Sequence, residues 1–346
     1  MEHEISIITG IQAIQSLNRD KYKVIPVYLT KENHFLIGKG LDDLATYKTN
    51  RVKGKEVFFT RKGLKSVFTK KVDVVISCVH GKGVEGGELA GFFEILGIPY
   101  TSIGVLGASI SQDKITFKKL MDYEGVNIVP FTSFTINEWR YRREDILSEI
   151  NALTFPVILK PSNLGSSIGI KKVDKITELV DNVNALLKYD DRMLVEKGLV
   201  KFREFNCAII NRDRLSQIEE VVTTHDILTF SDKYEEGPSK RIIPALIDGK
   251  LADEIYELTK KVARVIDNKG VVRVDYLYDT ETSELYVNEV NTIPGSLSYY
   301  LYENKGFFFD ELLDELIKGA LQSHYLNKNK TNVFMSNVLN MKGIKK

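Results

Sequence analysis

The chain has 346 residues, of which 43% are apolar and 27% charged, a composition typical of a globular protein with two or three domains. Its formal net charge of +1 gives no electrostatic footprint for nucleic acid or for an anionic membrane surface. No stretch approaches about 18 uninterrupted apolar residues, and the first residues lack the basic and apolar regions of a signal peptide. We therefore expect a cytoplasmic protein that binds neither nucleic acid nor membrane. Cys78 and Cys207 fit a reducing compartment as buried thiols.

The first part of the chain has the pattern of an open α/β sheet. Apolar side chains at helical spacing predict a helix over 5–18, and 23–29 predicts a strand. The nearly continuous apolar run 71–80 is typical of a buried parallel strand, and a helix over 88–96 and a strand over 98–103 follow it. This pattern predicts an N-terminal domain with an open parallel sheet.

The rest of the chain predicts α+β architecture. Further elements are expected at 113–123 (helix), 155–160 and 169–173 (strands), 176–188 (helix), 193–196 (strand), 251–267 (helix), 271–278 and 285–291 (strands) and 309–322 (helix). We divide the chain into an N-terminal substrate-binding domain at 1–111, two further units at 112–195 and 196–322, and a basic tail at 323–346.

The stretch 271–296 gathers ionic side chains. Strand alternation puts Arg273 and Asp275 on one face, and Glu289 and Asn291 share a face further along. If the two strands pair as a hairpin, the two faces can coincide. Asp, Glu and Asn oxygens are the hard ligands that hold Mg²⁺ against nucleotide phosphates, and an adjacent Arg suits a phosphate or an oxyanion. The alternative is an exposed hairpin with solvated carboxylates.

Three loop segments add candidate nucleotide contacts. Residues 160–169, KPSNLGSSIG, place Lys160 at a strand end before glycines and serines, a composition suited to phosphate, although a plain Gly/Ser turn has it too. Lys114 lies at a predicted helix start. The pair Glu196 and Lys197 follows a strand, where it could contact a ribose and an adenine edge.

A G-x-G-x-x-G motif occurs at 81–86, directly after the predicted strand 71–80. A dinucleotide site should carry an acidic residue about 20 residues later, whereas 100–104 reads YTSIG. We therefore favour a substrate loop over dinucleotide binding, with His80 facing a small polar substrate.

Taken in order, seven segments resemble the D-alanine–D-alanine ligase family of the ATP-grasp superfamily. They are EHEIS (2–6), HGKGVEGG (80–87) with GIPYTSIG (97–104), DK (113–114), KPSNLGSSIG (160–169), VEKGL (195–199), DKY (232–234) with IIPA (242–245), and RVDYLYD (273–279) with NEVNTIPGS (288–296). The resemblance implies a two-lobed ATP-grasp fold after the N-terminal domain, with ATP between the lobes. It also implies D-alanine as substrate, two Mg²⁺ ions with Mn²⁺ as a substitute, and a homodimer.

The resemblance also implies roles for individual residues. They are Lys114 and Lys160 for ATP phosphates; Glu196, Leu199 and Glu204 for adenine and ribose; Asp275, Glu289 and Asn291 for metal; and Arg273 with the backbone of Gly295 for the tetrahedral intermediate. Lys197 and Lys233 are further residues expected to contact the nucleotide. Glu2 would orient the ammonium of the first D-alanine and join Ser166 and Tyr234 in sealing the site, with Ser166 also closing over the γ-phosphate. His80, Tyr300 and Leu301 would contact substrate.

Three features depart from the family pattern. Similar proteins have one more strand before EHEIS, and we expect a chain without that strand to be less soluble and less stable. VEGG (84–87) lacks one carboxylate of the family's loop, and Tyr300 stands where a small hydroxyl is usual. The alternatives are therefore a ligase with another acceptor, such as D-lactate or D-serine, and a catalytically impaired nucleotide-binding homologue.

Overall fold

The computed structural model describes residues 2–48, 52–165, 169–222 and 240–331, within which three antiparallel sheets are flanked by helices. The strands are β1 (Tyr28–Leu29), β2 (Phe35–Ile37), β3 (Lys55–Thr60), β4 (Gly63–Lys65), β5 (Thr69–Lys70), β6 (Phe131–Thr135), β7 (Val157–Pro161), β8 (Lys171–Val173), β9 (Arg192–Lys197), β10 (Phe202–Ile210), β11 (Arg214–Val222), β12 (Lys240–Ile242), β13 (Val271–Asp279) and β14 (Glu284–Asn291). The helices are α1 (His3–Ser16), α2 (Leu44–Lys48), α3 (Glu88–Leu96), α4 (Val105–Gln112), α5 (Lys114–Tyr123), α6 (Ile136–Tyr141), α7 (Arg143–Ala152), α8 (Ile176–Leu186), α9 (Gly249–Val265) and α10 (Phe309–Lys328).

The sheet of the N-terminal part differs from the parallel sheet expected there. It is an antiparallel meander in the order β1-β2-β3-β4-β5. Of the predicted parallel strands, 23–29 forms only β1, and 71–80 and 98–103 meet at one parallel bridge between Val75 and Tyr100. The prediction of mixed α/β architecture is confirmed, but the parallel pairing within the described residues is confined to that bridge.

Side chains explain why 71–80 forms no longer ladder. The Ser77 amide donates to Thr101 Oγ1 at 3.1 Å, and the His80 amide donates to Ser6 Oγ at 2.9 Å. Each hydroxyl therefore satisfies a backbone donor that a neighbouring strand would otherwise take.

The central sheet has the order β6-β9-β7-β8. Its inner face packs against α6, α7 and α8 around Trp139, Val157 and Val183, all fully buried. The predicted strands 155–160, 169–173 and 193–196 and helix 176–188 are confirmed as β7, β8, β9 and α8, while α6 and α7 were not predicted.

The third sheet has the order β12-β11-β10-β13-β14, and α9 packs on it. The Asp248 side chain caps α9 by accepting from the Leu251 amide at 2.9 Å, and Ile255 and Val262 lie on its buried face. The hairpin predicted at 271–291 is confirmed as β13 and β14.

Helix α10 continues to Lys328, so the first residues of the predicted tail at 323–346 belong to that helix. Within the part of the chain that the structure describes, no helix is both long enough and apolar enough to cross a membrane.

Candidate active site

The β13–β14 hairpin brings together the four polar side chains predicted to share a face. Arg273 lies opposite Asn291, and Asp275 lies opposite Glu289. Arg273 donates to both oxygens of Asp275, from Nε at 2.7 Å and Nη2 at 2.8 Å, and Asn291 Nδ2 donates to Asp275 Oδ2 at 2.8 Å. The shared face is therefore confirmed, and Asp275 is its centre.

Arg273 stays charged on this face. Burial opposes its charge, but the Asp275 carboxylate more than offsets that effect and holds the pKa of Arg273 well above its usual value. A fixed guanidinium beside carboxylates is suited to stabilising an oxyanion that forms next to it.

Two lysines from other elements approach the hairpin. Lys114 Nζ donates to the Leu164 carbonyl at 2.6 Å and lies 4.0 Å from Glu289 Oε2. Lys160, at the end of β7, donates to Asn288 Oδ1 at 3.2 Å. The start of α5, the loop after β7 and the face of β14 thus meet at one place.

Asp113 fixes this meeting point. Its side chain caps α5 by accepting from the Thr116 amide at 2.8 Å, and it accepts from Ser162 Oγ at 2.9 Å. It also forms an ion pair with Arg192 at the start of β9. Lys114 is therefore held in the first helical turn against the loop that follows β7.

Glu196 is buried between two ammonium groups. Its Oε1 lies 2.5 Å from Lys118 Nζ, and its Oε2 lies 2.5 Å from Lys160 Nζ. Burial alone would raise the pKa of Glu196, but the two lysines lower it to about 2. Sequence reasoning singled out Glu196 but missed Lys118, whose only signal was its position one helical turn after Lys114.

The other residues predicted to contact adenine and ribose lie at the end of β9, just after it, and on β10. Lys197 is exposed at the end of β9, and Leu199 follows it with partial burial. Glu204, on β10, is close enough to raise the pKa of Lys160. These three positions stay predictions.

Glu2 lies between two glycine-containing loops at the start of α1. A Cβ on Gly165 would lie 3.3 Å from Glu2 Oε1, and one on Gly81 would lie 3.7 Å from Glu2 Oε2. The residues after β7 and the residues after 71–80 therefore both approach this carboxylate. That position suits recognition of a small cationic group.

Glu85 is a second carboxylate at this point that sequence reasoning missed. It accepts from the Gly81 amide at 2.6 Å and is hydrogen-bonded to Glu2. Burial, followed by the charge of Glu2, raises the pKa of Glu85 to about 8. Glu85 lies in the sequence VEGG (84–87), which differs from the family's loop by the loss of another carboxylate. The sequence therefore pointed to the missing carboxylate and not to Glu85.

His80 is buried beside these residues. Its Nε2 lies 3.1 Å from Thr9 Oγ1, and that hydroxyl also accepts from the Ser296 amide at 3.0 Å. Burial lowers the pKa of His80 to about 4, so the ring is neutral near pH 7. Through Thr9, the backbone next to Gly295 is tied to α1 and to the His80 loop.

Tyr300 lies in the 3₁₀ segment Gly295–Leu301 and packs against the third sheet. Its hydroxyl donates to Glu219 Oε2 at 3.3 Å, and its ring centroid lies 5.2 Å from the Arg241 guanidinium. Leu301 is fully buried in the core. Ser166, Lys233 and Tyr234 lie outside the described residues, so their predicted roles are not addressed by the geometry.

The donor set of the hairpin fits Mg²⁺. It consists of two carboxylates and one amide on one face, all hard oxygen donors. Among the described residues no group of three His, Cys, Asp or Glu side chains forms a complete metal site. Mg²⁺ commonly needs only one or two carboxylates because substrate phosphates and water complete its coordination.

Solved structures give the class of this fold. A D-alanine–D-alanine ligase from Coxiella burnetii matches with a TM-score of 0.81 over 95% of this chain and 92% of that chain, at 23% identity. The VanG D-Ala:D-Ser ligase from Enterococcus faecalis matches with a TM-score of 0.81 over 92% and 96%, at 28% identity. The fold is that of the ATP-grasp class of ATP-dependent ligases.

Sequence comparison identifies the family within that class. Models of the D-ala D-ala ligase N-terminus and C-terminus match residues 1–103 and 120–318. The D-alanine–D-alanine ligase of Thermosipho melanesiensis is 36% identical over 337 residues, covering 93% of this chain and 91% of that protein. The chain belongs to the D-alanine–D-alanine ligase family, as its sequence motifs indicated.

Proposed function

We propose that this protein is an ATP-dependent ligase that joins two D-alanine molecules into D-alanyl-D-alanine for peptidoglycan synthesis. Family membership supports the reaction class. One observation supports locating the activity at this site. Lys114 and Lys160 converge on the β13–β14 face that bears Asp275 and Glu289. Cations for nucleotide phosphates are thereby combined with oxygen ligands for a metal.

The chemistry has two steps. A carboxylate is a poor electrophile, so the γ-phosphate of ATP is first transferred to the carboxylate of one D-alanine, giving an acyl phosphate and ADP. The amine of the second D-alanine then attacks the acyl carbon, a C–N bond forms, and phosphate leaves with its bonding electrons. The proton of the attacking amine passes to solvent.

The chain's own residues supply charge and orientation for these steps. Lys114 and Lys160 neutralise the phosphates, with Lys233 as a third cation. Arg273 and the Gly295 amide stabilise the tetrahedral intermediate. Two Mg²⁺ ions, or Mn²⁺, would be held by the three oxygen donors of the hairpin, Asp275, Glu289 and Asn291, and would neutralise phosphate charge when bound.

Further residues would bind the substrates. Glu196, Lys197, Leu199 and Glu204 would contact adenine and ribose. Glu2 would orient the first ammonium, and Ser166 and Tyr234 would close the site against water, which hydrolyses acyl phosphates. His80 would face the first D-alanine, and Tyr300 and Leu301 would line the position of the second.

The domain assignment and assembly are parts of the same proposal. Residues 1–111 would supply the substrate domain, and 112–195 and 196–322 the two lobes that enclose ATP. Strand β9 crosses the boundary between those lobes by two residues, since it ends at Lys197. We expect a cytoplasmic homodimer.

The test is a product assay with purified protein. Incubation with ATP, Mg²⁺ and D-alanine should yield D-alanyl-D-alanine and inorganic phosphate in equal amounts. Parallel reactions with D-serine and D-lactate as acceptors identify any other specificity. ATP binding without any ligated product would indicate the impaired nucleotide-binding homologue and would overturn the proposal.

A further inference from the structure

We propose that Lys118 is a positioning residue, which holds Glu196 so that Lys160 can leave that carboxylate and bind a nucleotide phosphate. The inference rests on the proposed function in that Lys160 contacts ATP. It assigns a task to a buried lysine that has no part in the two chemical steps.

The geometry is a closed triad of charges. Lys118 is 1% exposed, Glu196 2% and Lys160 8%, and each ammonium lies 2.5 Å from a different oxygen of the one carboxylate. Within the described residues, Glu196 is the only ion-pair partner of Lys118. Two ammonium groups therefore share the one carboxylate that both of them contact.

Of the two lysines, Lys160 is the one with a further hydrogen bond to the hairpin. Lys160 also reaches Asn288 Oδ1 at 3.2 Å, and the charges of Glu289 and Glu204 act on it. It therefore lies where the metal face and the expected nucleotide contacts meet. Lys118, by contrast, lies in the middle of α5, and its side chain is closed off from solvent.

The two lysines therefore have different roles when an anion arrives. An uncompensated carboxylate in a protein interior is strongly disfavoured. If Lys160 turns toward a phosphate, Glu196 loses one of its two partners, and Lys118 keeps it neutralised. Without Lys118, Glu196 would retain Lys160, and phosphate would have to compete with an internal carboxylate.

Lys114 and Lys118 both lie on helix α5. Residues four apart on a helix share a face, so Lys114 and Lys118 lie on the same side of α5 one turn apart. Lys114 reaches the Leu164 carbonyl and Glu289, whereas Lys118 reaches Glu196. Helix α5 would then carry two cations with different tasks. Lys114 binds the phosphate, and Lys118 neutralises Glu196 when Lys160 leaves it.

The experiment is a double-mutant cycle on nucleotide binding in the full chain. The variants are Lys118→Met, Glu196→Gln and the double variant, with Lys119→Met as the control because Lys119 is the exposed neighbour on the same helix. The probes are a non-hydrolysable ATP analogue with Mg²⁺, and adenosine, each titrated by calorimetry. Circular dichroism and melting temperature verify folding, and Lys118→Gln replaces Lys118→Met if the latter does not fold.

Lys118→Met should weaken binding of the ATP analogue about tenfold, the size expected for a disturbed charge-assisted contact. Adenosine binding should be unchanged, because Glu196 then keeps Lys160 as its partner and stays in place beside adenine and ribose. In the Glu196→Gln background, the same change should have little effect, because no carboxylate then competes for Lys160. Lys119→Met should bind both probes like the wild type.

Two results would overturn the inference. One is an equal loss of affinity for adenosine and for the ATP analogue, which indicates a structural defect. The other is the same loss in both backgrounds, which excludes coupling through Glu196. The two proposals can fail separately. If the wild type forms dipeptide but Lys118→Met binds the ATP analogue normally, only this inference is refuted. If Lys118→Met selectively weakens binding of the analogue but the wild type forms no dipeptide, only the ligase proposal is refuted.

Discussion

The carboxyl groups of Glu2 and Glu85 are hydrogen-bonded to each other at the start of α1, although they come from segments far apart in the sequence. Two carboxylates in contact cannot both ionise at low cost, so the pair retains a proton to higher pH than an isolated glutamate. Glu85 is the partner with the raised pKa, about 8 against an ordinary value of 4.5.

Glu85 should make stability fall with rising pH. Because its folded pKa lies above its unfolded pKa, its contribution is complete below about pH 4.5 and is lost as pH rises through 8. Glu85→Gln, which is always neutral, should therefore gain melting temperature relative to the wild type between pH 5 and about pH 9. The lowered pKa of His80 makes stability rise with pH between about 4 and 6.5. Both proteins carry His80, so this contribution cancels in the difference between them.

The measurement is calorimetric melting of both proteins across that pH range, with Glu281→Gln in the exposed β13–β14 turn as control. A difference in melting temperature that stays constant with pH would show that Glu85 does not hold the shared proton.

Glu289→Gln should lower turnover by about two orders of magnitude or more while leaving the fold intact. Glu289 lies opposite Asp275, and the amide would remove one of the two charges that the proposed metal site offers. The check is steady-state phosphate release with Mg²⁺ titration, alongside Glu281→Gln. Near-normal turnover would remove Glu289 from the metal set.

The hairpin shows what the sequence could predict. Period-two alternation is a local property, so it correctly placed Arg273, Asp275, Glu289 and Asn291 on one face once the strands paired. The buried partners Lys118 and Glu85 were missed, because a charged side chain gains its role from a distant partner that no local pattern reveals. Helix periodicity alone cannot distinguish Lys118, 1% exposed, from the solvated Lys119.

The N-terminal sheet shows where local pattern failed. The apolar run 71–80 has the composition of a parallel strand, yet the hydroxyls of Thr101 and Ser6 take two of its amide protons. The charged segment 35–70, whose strands have two to six residues, gave too few alternating positions to predict β2–β5.

Asp113→Ala should weaken both stability and ATP binding. Loss of a helix cap costs about 0.5–2 kcal/mol, and Asp113 also holds Ser162 and Arg192 next to Lys114. The matched control is Asp248→Ala, which removes the equivalent cap of α9 away from the site. Unfolding and ATP-analogue titration of both variants would separate the effects. Equal ATP affinity in the two would show that Asp113 acts on stability alone.

Tyr300→Ser should change the preferred acceptor while sparing ATP and the first D-alanine. The resemblance implies a small hydroxyl at this position, and the phenol that stands there donates to Glu219, so its removal should open room for a different acceptor. Tyr300→Phe is the control, since it loses only the hydroxyl and should keep the wild-type order. Competition among D-alanine, D-serine, D-lactate and glycine measures the preference. An unchanged order and acceptor KM in Tyr300→Ser would exclude Tyr300 as a specificity residue.

The most direct test of the ligase account follows one oxygen atom. If the γ-phosphate is transferred to the carboxylate of the first D-alanine, the bridging oxygen of the acyl phosphate leaves with phosphate when the second amine attacks. D-alanine labelled with ¹⁸O in its carboxylate should therefore yield inorganic phosphate that carries one ¹⁸O for each dipeptide formed, measured by mass spectrometry. Unlabelled phosphate, released together with the dipeptide, would contradict the account.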